Sequence, residues 1–264
     1  MTLESHFGLD SAPFPRSASD AALLRHRGLD EVLARLHFAL ARDSIATLVA
    51  ESGCGKSTAL ALFARSLDAA NHHLIATNLT TLGPFGFLAT LCGATGIKTR
   101  RFKGETSALF LAHIRTLPKR TVLLVDEAHL LPDQSLEDLR LLTADDFDRK
   151  SAFALVLVGQ PLLRERLGEP RHWALAQRVA VRLRLRPLTE GELVQFLDRH
   201  LKASGAKNNP FETEATAAIF HHSRGIPRLA QNIALQSMLA AMSANKKTID
   251  ETAVQQAVID LEEP

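Results

Sequence analysis

Cysteine is scarce: the 264 residues contain two, Cys54 and Cys92. That number excludes a disulfide framework and leaves no thiolate spacing for a metal, so both are expected to be small packing residues in a reducing compartment. Cys54 has no base near it in sequence, which argues against a nucleophile. Long apolar runs are missing as well, since no stretch reaches the roughly 20 residues that a spanning helix requires. The opening residues Met1-Thr2-Leu3-Glu4-Ser5-His6 lack the basic and apolar regions of a signal peptide. The expectation is a soluble, cytoplasmic protein with no membrane partner. Internal repeats and low-complexity segments are absent too. What is present is 46% hydrophobic residues, enough at this length for a full α/β core and a second small domain.

The most informative segment is Val49-Ala50-Glu51-Ser52-Gly53-Cys54-Gly55-Lys56-Ser57-Thr58. The apolar run at 45–49 reads as a buried strand, and residues 57–67 carry apolar side chains at helical spacing, so this segment joins a strand end to a helix start. Gly53 and Gly55 let backbone N–H groups converge on phosphate oxygens where a side chain would intrude, and the helix dipole favours the anion. Ser52, Gly53, Cys54, Gly55, Lys56, Ser57 and Thr58 therefore form a candidate nucleoside triphosphate cradle. Lys56 supplies charge to the β- and γ-phosphates and Ser57 a hydroxyl to Mg²⁺. Ala50 stands where the usual pattern has its first glycine, a change between small residues that keeps the rest in register.

A second motif points from binding to hydrolysis. Thr121-Val122-Leu123-Leu124-Val125 is a β-branched apolar run that ends in Asp126-Glu127. Asp126 at a strand's carboxyl end suits Mg²⁺, and Glu127 suits the general base that activates water. The continuation Ala128-His129 completes the letters of a helicase box, but such helicases need a longer two-core chain, so those two letters read as coincidence.

The net charge of +2 conceals segregation: residues 98–120 carry a balance of +6 and residues 126–148 a balance of −7. Lys98, Thr99, Arg100, Arg101 and Lys103 fall in an expected loop, where they are either a solvated charged segment or a contact for phosphate backbones. Lys119 and Arg120, just before the acidic strand, read as solvated charges.

Strands are expected at 45–49, 73–77, 121–125, 153–159 and 179–185, the last alternating apolar and basic residues like a half-exposed edge. Helices lie between them, near 84–92, 106–117 and 135–142. This is α/β, a doubly wound parallel five-stranded sheet with helices on both faces and a nucleotide at the strands' carboxyl ends. Beyond Pro187 four helices are expected, at 189–203, 212–223, 228–245 and 250–261. The division is a nucleotide-binding α/β domain at 1–187 and a small helical lid at 188–264.

Along nearly its whole length the chain resembles the AAA+ ATPases, in the branch of ExeA-type secretion ATPases and transposition helpers of the MuB, TnsC and TniB kind. The carriers are His6-Phe7-Gly8-Leu9 with Pro13-Phe14, the two phosphate motifs, Val158-Gly159-Gln160-Pro161, Gln177-Arg178-Val179 and Ser223-Arg224-Gly225-Ile226-Pro227-Arg228. The resemblance implies ATP and Mg²⁺ as cofactors. It places Gln160 at sensor 1 and Arg228 at sensor 2, a clamp that couples a lid to the phosphates. Arg178 matches an arginine finger donated into a neighbour's site; a salt bridge at the sheet edge is the other reading of the same residue. His6, Phe7, Pro13 and Phe14 either lie against adenine or dock on the core. A finger in trans implies homo-oligomers, rings or helical filaments, with the basic loop near a central channel and double-stranded DNA as partner. Two functions follow: a regulator of transposition that recruits a transposase, with or without a targeting protein, and a secretion-assembly ATPase. Secretion proteins of that type continue into a membrane span and a peptidoglycan-binding domain, so a chain ending at Pro264 favours the former; the helical lid argues against a metabolic kinase.

Overall fold

Five strands form one parallel sheet. The strands are β1 (Ile45–Val49), β2 (His72–Thr77), β3 (Arg120–Val125), β6 (Ala154–Gly159) and β7 (Val179–Arg184), with β4 (Ala144–Asp145) and β5 (Lys150–Ser151) forming a separate short antiparallel pair. The computed structural model describes residues 2–15, 20–145 and 150–262. Of the acidic stretch, Asp146 and Asp148 lie outside the described residues.

The sheet order is β2-β3-β6-β1-β7, each neighbouring pair parallel. Every residue of β1 and β6 is buried, as an interior strand covered on both faces requires. β7 alternates buried and exposed positions because it is an edge. One face holds Leu123, Val125, Leu155 and Leu157 against α4 (Pro84–Ala94), α5 (Lys103–Thr116), α6 (Asp133–Thr143), α7 (Pro161–Leu167) and α8 (Trp173–Arg178). The period-two pleat turns Leu124 to the other face, where it lines a cavity with Leu60, Ala61 and Ala64 of α3 (Lys56–Ser66). His37 of α2 (Arg27–Ala41) meets Phe63 of α3 edge-on, with 5.1 Å between ring centroids.

The register sets the ends of three adjacent strands together. Val49 pairs with Gly159 and Val125 with Leu157, so the residues that follow β1, β6 and β3 emerge side by side. This is the carboxyl edge where parallel sheets bind ligands.

The chain divides into two compact units: Gly28–Ser52 with Lys56–Leu185, which contains the sheet, and Met1–Arg27 with Gly53–Gly55 and Arg186–Pro264, which is helical. Residues 1–27, expected with the sheet, cluster with the carboxyl-terminal helices. In that unit α9 (Glu190–Ala203), α10 (Thr213–Ser223), α11 (Pro227–Ser243) and α12 (Glu251–Glu262) enclose a core of Leu193, Leu197, Ile219, Ile233 and Val254. Thr189 caps α9 reciprocally with Glu192. Gly225 joins α10 to α11 at φ +73°, and a Cβ there would stand 2.1 Å from the Leu188 carbonyl oxygen, so glycine is required. No helix among the described residues is long and apolar enough to cross a membrane.

Candidate active site

The loop after β1 bends as its glycines allow. Gly53 and Gly55 have φ of +82° and +96°, the left-handed region that side chains avoid. α3 then begins at Lys56, so its first N–H groups face the loop and favour an anion. Lys56 is buried, and its Nζ donates to the carbonyls of Ala50 at 2.9 Å and Glu51 at 3.0 Å. An ammonium has three protons; two are held within the loop and the third suits a phosphate oxygen. The residues therefore fit a triphosphate.

Beside this loop, a cavity of about 330 Å³ is lined by Ser57, Leu60, Ala61, Ala64, Leu74, Ala76, Thr77, Asn78, Leu124 and Asp126. Its apolar wall comes from α3 and the strands, and its polar atoms are at the end carrying Ser57, Asn78 and Asp126. A hydroxyl and one carboxylate suit Mg²⁺, which takes few protein ligands and keeps water and phosphate oxygens. Asn78 escaped sequence reasoning; its position one residue past β2 was the available signal.

Asp126 and Glu127 follow β3 as expected. Asp126 Oδ1 accepts the Glu127 N–H at 2.8 Å. Glu127 occupies φ 53°, ψ 32°, an uncommon conformation for a residue with a Cβ, and opens the short helical turn at Ala128–Leu130. Asp126 lines the cavity, while the Glu127 carboxylate lies 3.6 Å from His129 Nδ1. Gln160 caps α7 at the end of β6, next to β3 in the sheet.

Behind Glu127, Asp133 gathers nitrogen partners: Arg166 at 2.5 Å, Arg171 at 2.8 Å and the His172 ring at 3.0 Å. The hydrogen bond from Arg166 is foremost in holding the Asp133 carboxyl down to about 2, with His172 and Arg171 adding to it.

The basic segment separates into two parts. Lys98, Thr99, Arg100 and Arg101 are exposed, and among the described residues none of the three cations forms an ion pair. Their loop is pinned where Thr106 Oγ1, fully buried, accepts the Arg100 N–H at 2.9 Å. Lys103 is instead the first residue of α5, with its Nζ 2.8 Å from Asp138 of α6. Arg178 also has internal partners: its guanidinium donates to the Arg140 carbonyl at 2.5 Å and to Thr143 Oγ1 at 3.1 Å, tying down the last turn of α6.

Within the helical unit Arg228 is the second residue of α11, and its N–H donates to the Gly53 carbonyl at 3.3 Å. A Cβ on Gly53 would sit 2.9 Å from the Arg228 Cβ. Phe14 is buried and Phe7 half-buried against the core of this unit.

Residues 40–167 match the AAA domain family. General secretion pathway protein A of Aeromonas hydrophila is 31% identical over 250 residues, which are 92% of this chain and 45% of that protein; the chain thus spans under half of that relative's length. Among solved structures, the Aeropyrum pernix ORC1 protein in complex with DNA superposes with a TM-score of 0.70 at 20% identity, over 94% of this chain and 68% of that one. Cdc6p of Pyrobaculum aerophilum gives 0.69 at 20% identity, over 97% and 70%. The RuvB Holliday junction branch migration motor of Thermotoga maritima gives 0.57 at 23% identity, over 89% and 70%. At such identities these structures share the fold, the P-loop AAA+ sheet with its following helices.

Proposed function

We propose that this AAA-domain ATPase is a nucleotide-gated DNA-binding protein, and in particular a regulator of DNA transposition. The observation that carries the proposal is the exposed cationic loop of Lys98, Arg100 and Arg101 in the unit that contains the sheet, Lys56, Ser57 and Asp126. Three cations without ion-pair partners suit phosphate backbones better than an internal role. Lys103 contributes less, since Asp138 already neutralises it. The ORC1 structure, solved with DNA, lends the same fold a nucleic-acid precedent.

In this reading ATP and Mg²⁺, when bound, supply the phosphoanhydride and neutralise its charge. Lys56 and the loop N–H groups hold the phosphates. Ser57 and Asp126 hold the metal, and Glu127 orients the attacking water. Gln160 and Arg228 sense the γ-phosphate. Subunits assemble head to tail on double-stranded DNA, as a ring or a helical filament, with Arg178 or the exposed Arg164 reaching the neighbour's site. The assembly marks a target and recruits a transposase in the cytoplasm, and hydrolysis ends it. A second reading, an ATPase that helps assemble a secretion complex, is favoured by the 31% identity to general secretion pathway protein A.

Binding of labelled duplex DNA, titrated with salt in the presence and absence of ATP, separates the two. The transposition reading expects ATP-dependent binding that weakens with salt, and loss of binding in R100E/R101E with nucleotide affinity intact. No DNA affinity in either nucleotide state would remove it and leave the secretion reading.

A further inference from the structure

His129 lies two residues beyond Glu127, and none of the steps above uses it. Its side chain is 6% exposed, and Nδ1 is 3.6 Å from Glu127 Oε2. The same nitrogen is 3.5 Å from the backbone N of Gln160. A single ring atom thus faces an acceptor, the carboxylate, and a donor, the amide. A neutral imidazole carries its proton on one nitrogen. Nδ1 accepts from the Gln160 N–H at the edge of hydrogen-bond range, donation to Glu127 needs the carboxylate to move a few tenths of an ångström closer, and one ring nitrogen cannot do both.

The ring's backbone is held from behind. The His129 carbonyl accepts from Arg166 Nη1 at 2.7 Å, and Arg166 Nη2 is fixed on Asp133 at 2.5 Å. Gly159 leaves room for this packing, since a Cβ there would stand 3.3 Å from the His129 backbone nitrogen. Glu127 sits at φ 53°, a conformation that requires its surroundings to hold it. The buried ring is the fixed partner, and the Glu127 side chain, 37% exposed on a backbone held in place, is the movable one.

We propose that His129 is a positioning residue for Glu127 that also couples it to Gln160. With the proton on Nδ1 the ring orients the carboxylate. With the proton on Nε2, Nδ1 accepts the Gln160 N–H and the carboxylate is released to water. The two groups that face the γ-phosphate in the proposed function thereby respond to one another through one ring. This inference rests on Glu127 acting as the general base.

The test is ATP turnover together with affinity for a fluorescent ATP analogue. His129→Phe, which removes both hydrogen-bonding options, should lower kcat by about 10²-fold, the scale of a misplaced catalytic group, while analogue affinity stays within about twofold. His129→Asn, which keeps a polar atom near Nδ1, should recover most of the loss. In a Glu127→Asp background, whose shorter carboxylate is already out of reach, His129→Phe should cost little more. Glu127→Gln decides the underlying reading separately: wild-type turnover there would remove the base and the inference together. If Glu127→Gln is inactive, three results overturn the inference alone. They are unchanged kcat in His129→Phe, a loss that multiplies fully with that of Glu127→Asp, and affinity that falls in step with kcat. Should His129→Phe not fold, the His129→Asn and Glu127→Asp pair gives the same cycle with a smaller expected effect.

Discussion

The places of Lys56, Asp126 and Glu127 were legible, Lys56 at the start of a helix and the two acids just past an apolar strand. His129 was not, since adjacency in sequence does not reveal which way a side chain points after a residue at positive φ. The same limit applies to His200, which no motif marks. It is 2% exposed, with ring centroids of Phe196 at 4.5 Å and Phe14 at 5.6 Å, and its Nδ1 has no hydrogen-bond partner among the described residues. Burial pushes its pKa down from 6.5 to about 4. The fold holds this ring neutral while the unfolded chain takes up a proton near pH 6.5, so unfolding binds protons between the two values. Stability is full above about pH 6.5 and falls as the pH drops toward 4, by about 3 kcal/mol across the window. Urea unfolding followed between pH 7.5 and 4 should show this decline, and His200→Leu should flatten it. A variant with an unaltered slope would place the acid sensitivity elsewhere.

The elements were easier to read than their ends. β1 and β6 are uniformly buried because helices cover both faces, and β7 alternates because it is an edge. The start of α5 was missed by three residues: Phe102 at its cap makes no side-chain hydrogen bond, so no capping signal precedes Lys103. That shift moved Lys103 from an expected DNA contact to a bridge with Asp138. Arg178 shows a similar tension. As a finger it needs a free guanidinium, yet here it anchors α6 through the Arg140 carbonyl and Thr143. Arg178→Ala should therefore lower stability by about 1–3 kcal/mol, since it leaves part-buried acceptors without their donor, whereas Arg164→Ala on the exposed face of α7 should not. Thermal unfolding beside turnover at high protein concentration would divide the roles. Unchanged stability with lost turnover in Arg178→Ala would restore the finger to Arg178.

At the scale of the molecule, assembly and turnover are linked by the same site. ATP that cannot be hydrolysed stabilises whatever state binds it, by mass action alone. If ATP favours subunits joined on DNA, Glu127→Gln should accumulate them: long-lived assemblies by electron microscopy and light scattering with ATP and duplex DNA, where the wild-type protein shows transient ones. Their DNA affinity should fall with salt at a slope of roughly −0.9 for each phosphate neutralised, so the loop's three cations correspond to about −2.7 per subunit. R100E/R101E placed in the Glu127→Gln background then divides nucleotide-driven from DNA-driven assembly. Assemblies that persist with ATP but release DNA would show that the nucleotide alone joins the subunits and the loop only holds the duplex. Dispersal of both would make DNA the scaffold. Monomers throughout, even in Glu127→Gln with ATP and DNA, would sink the oligomeric reading and with it any arginine donated in trans.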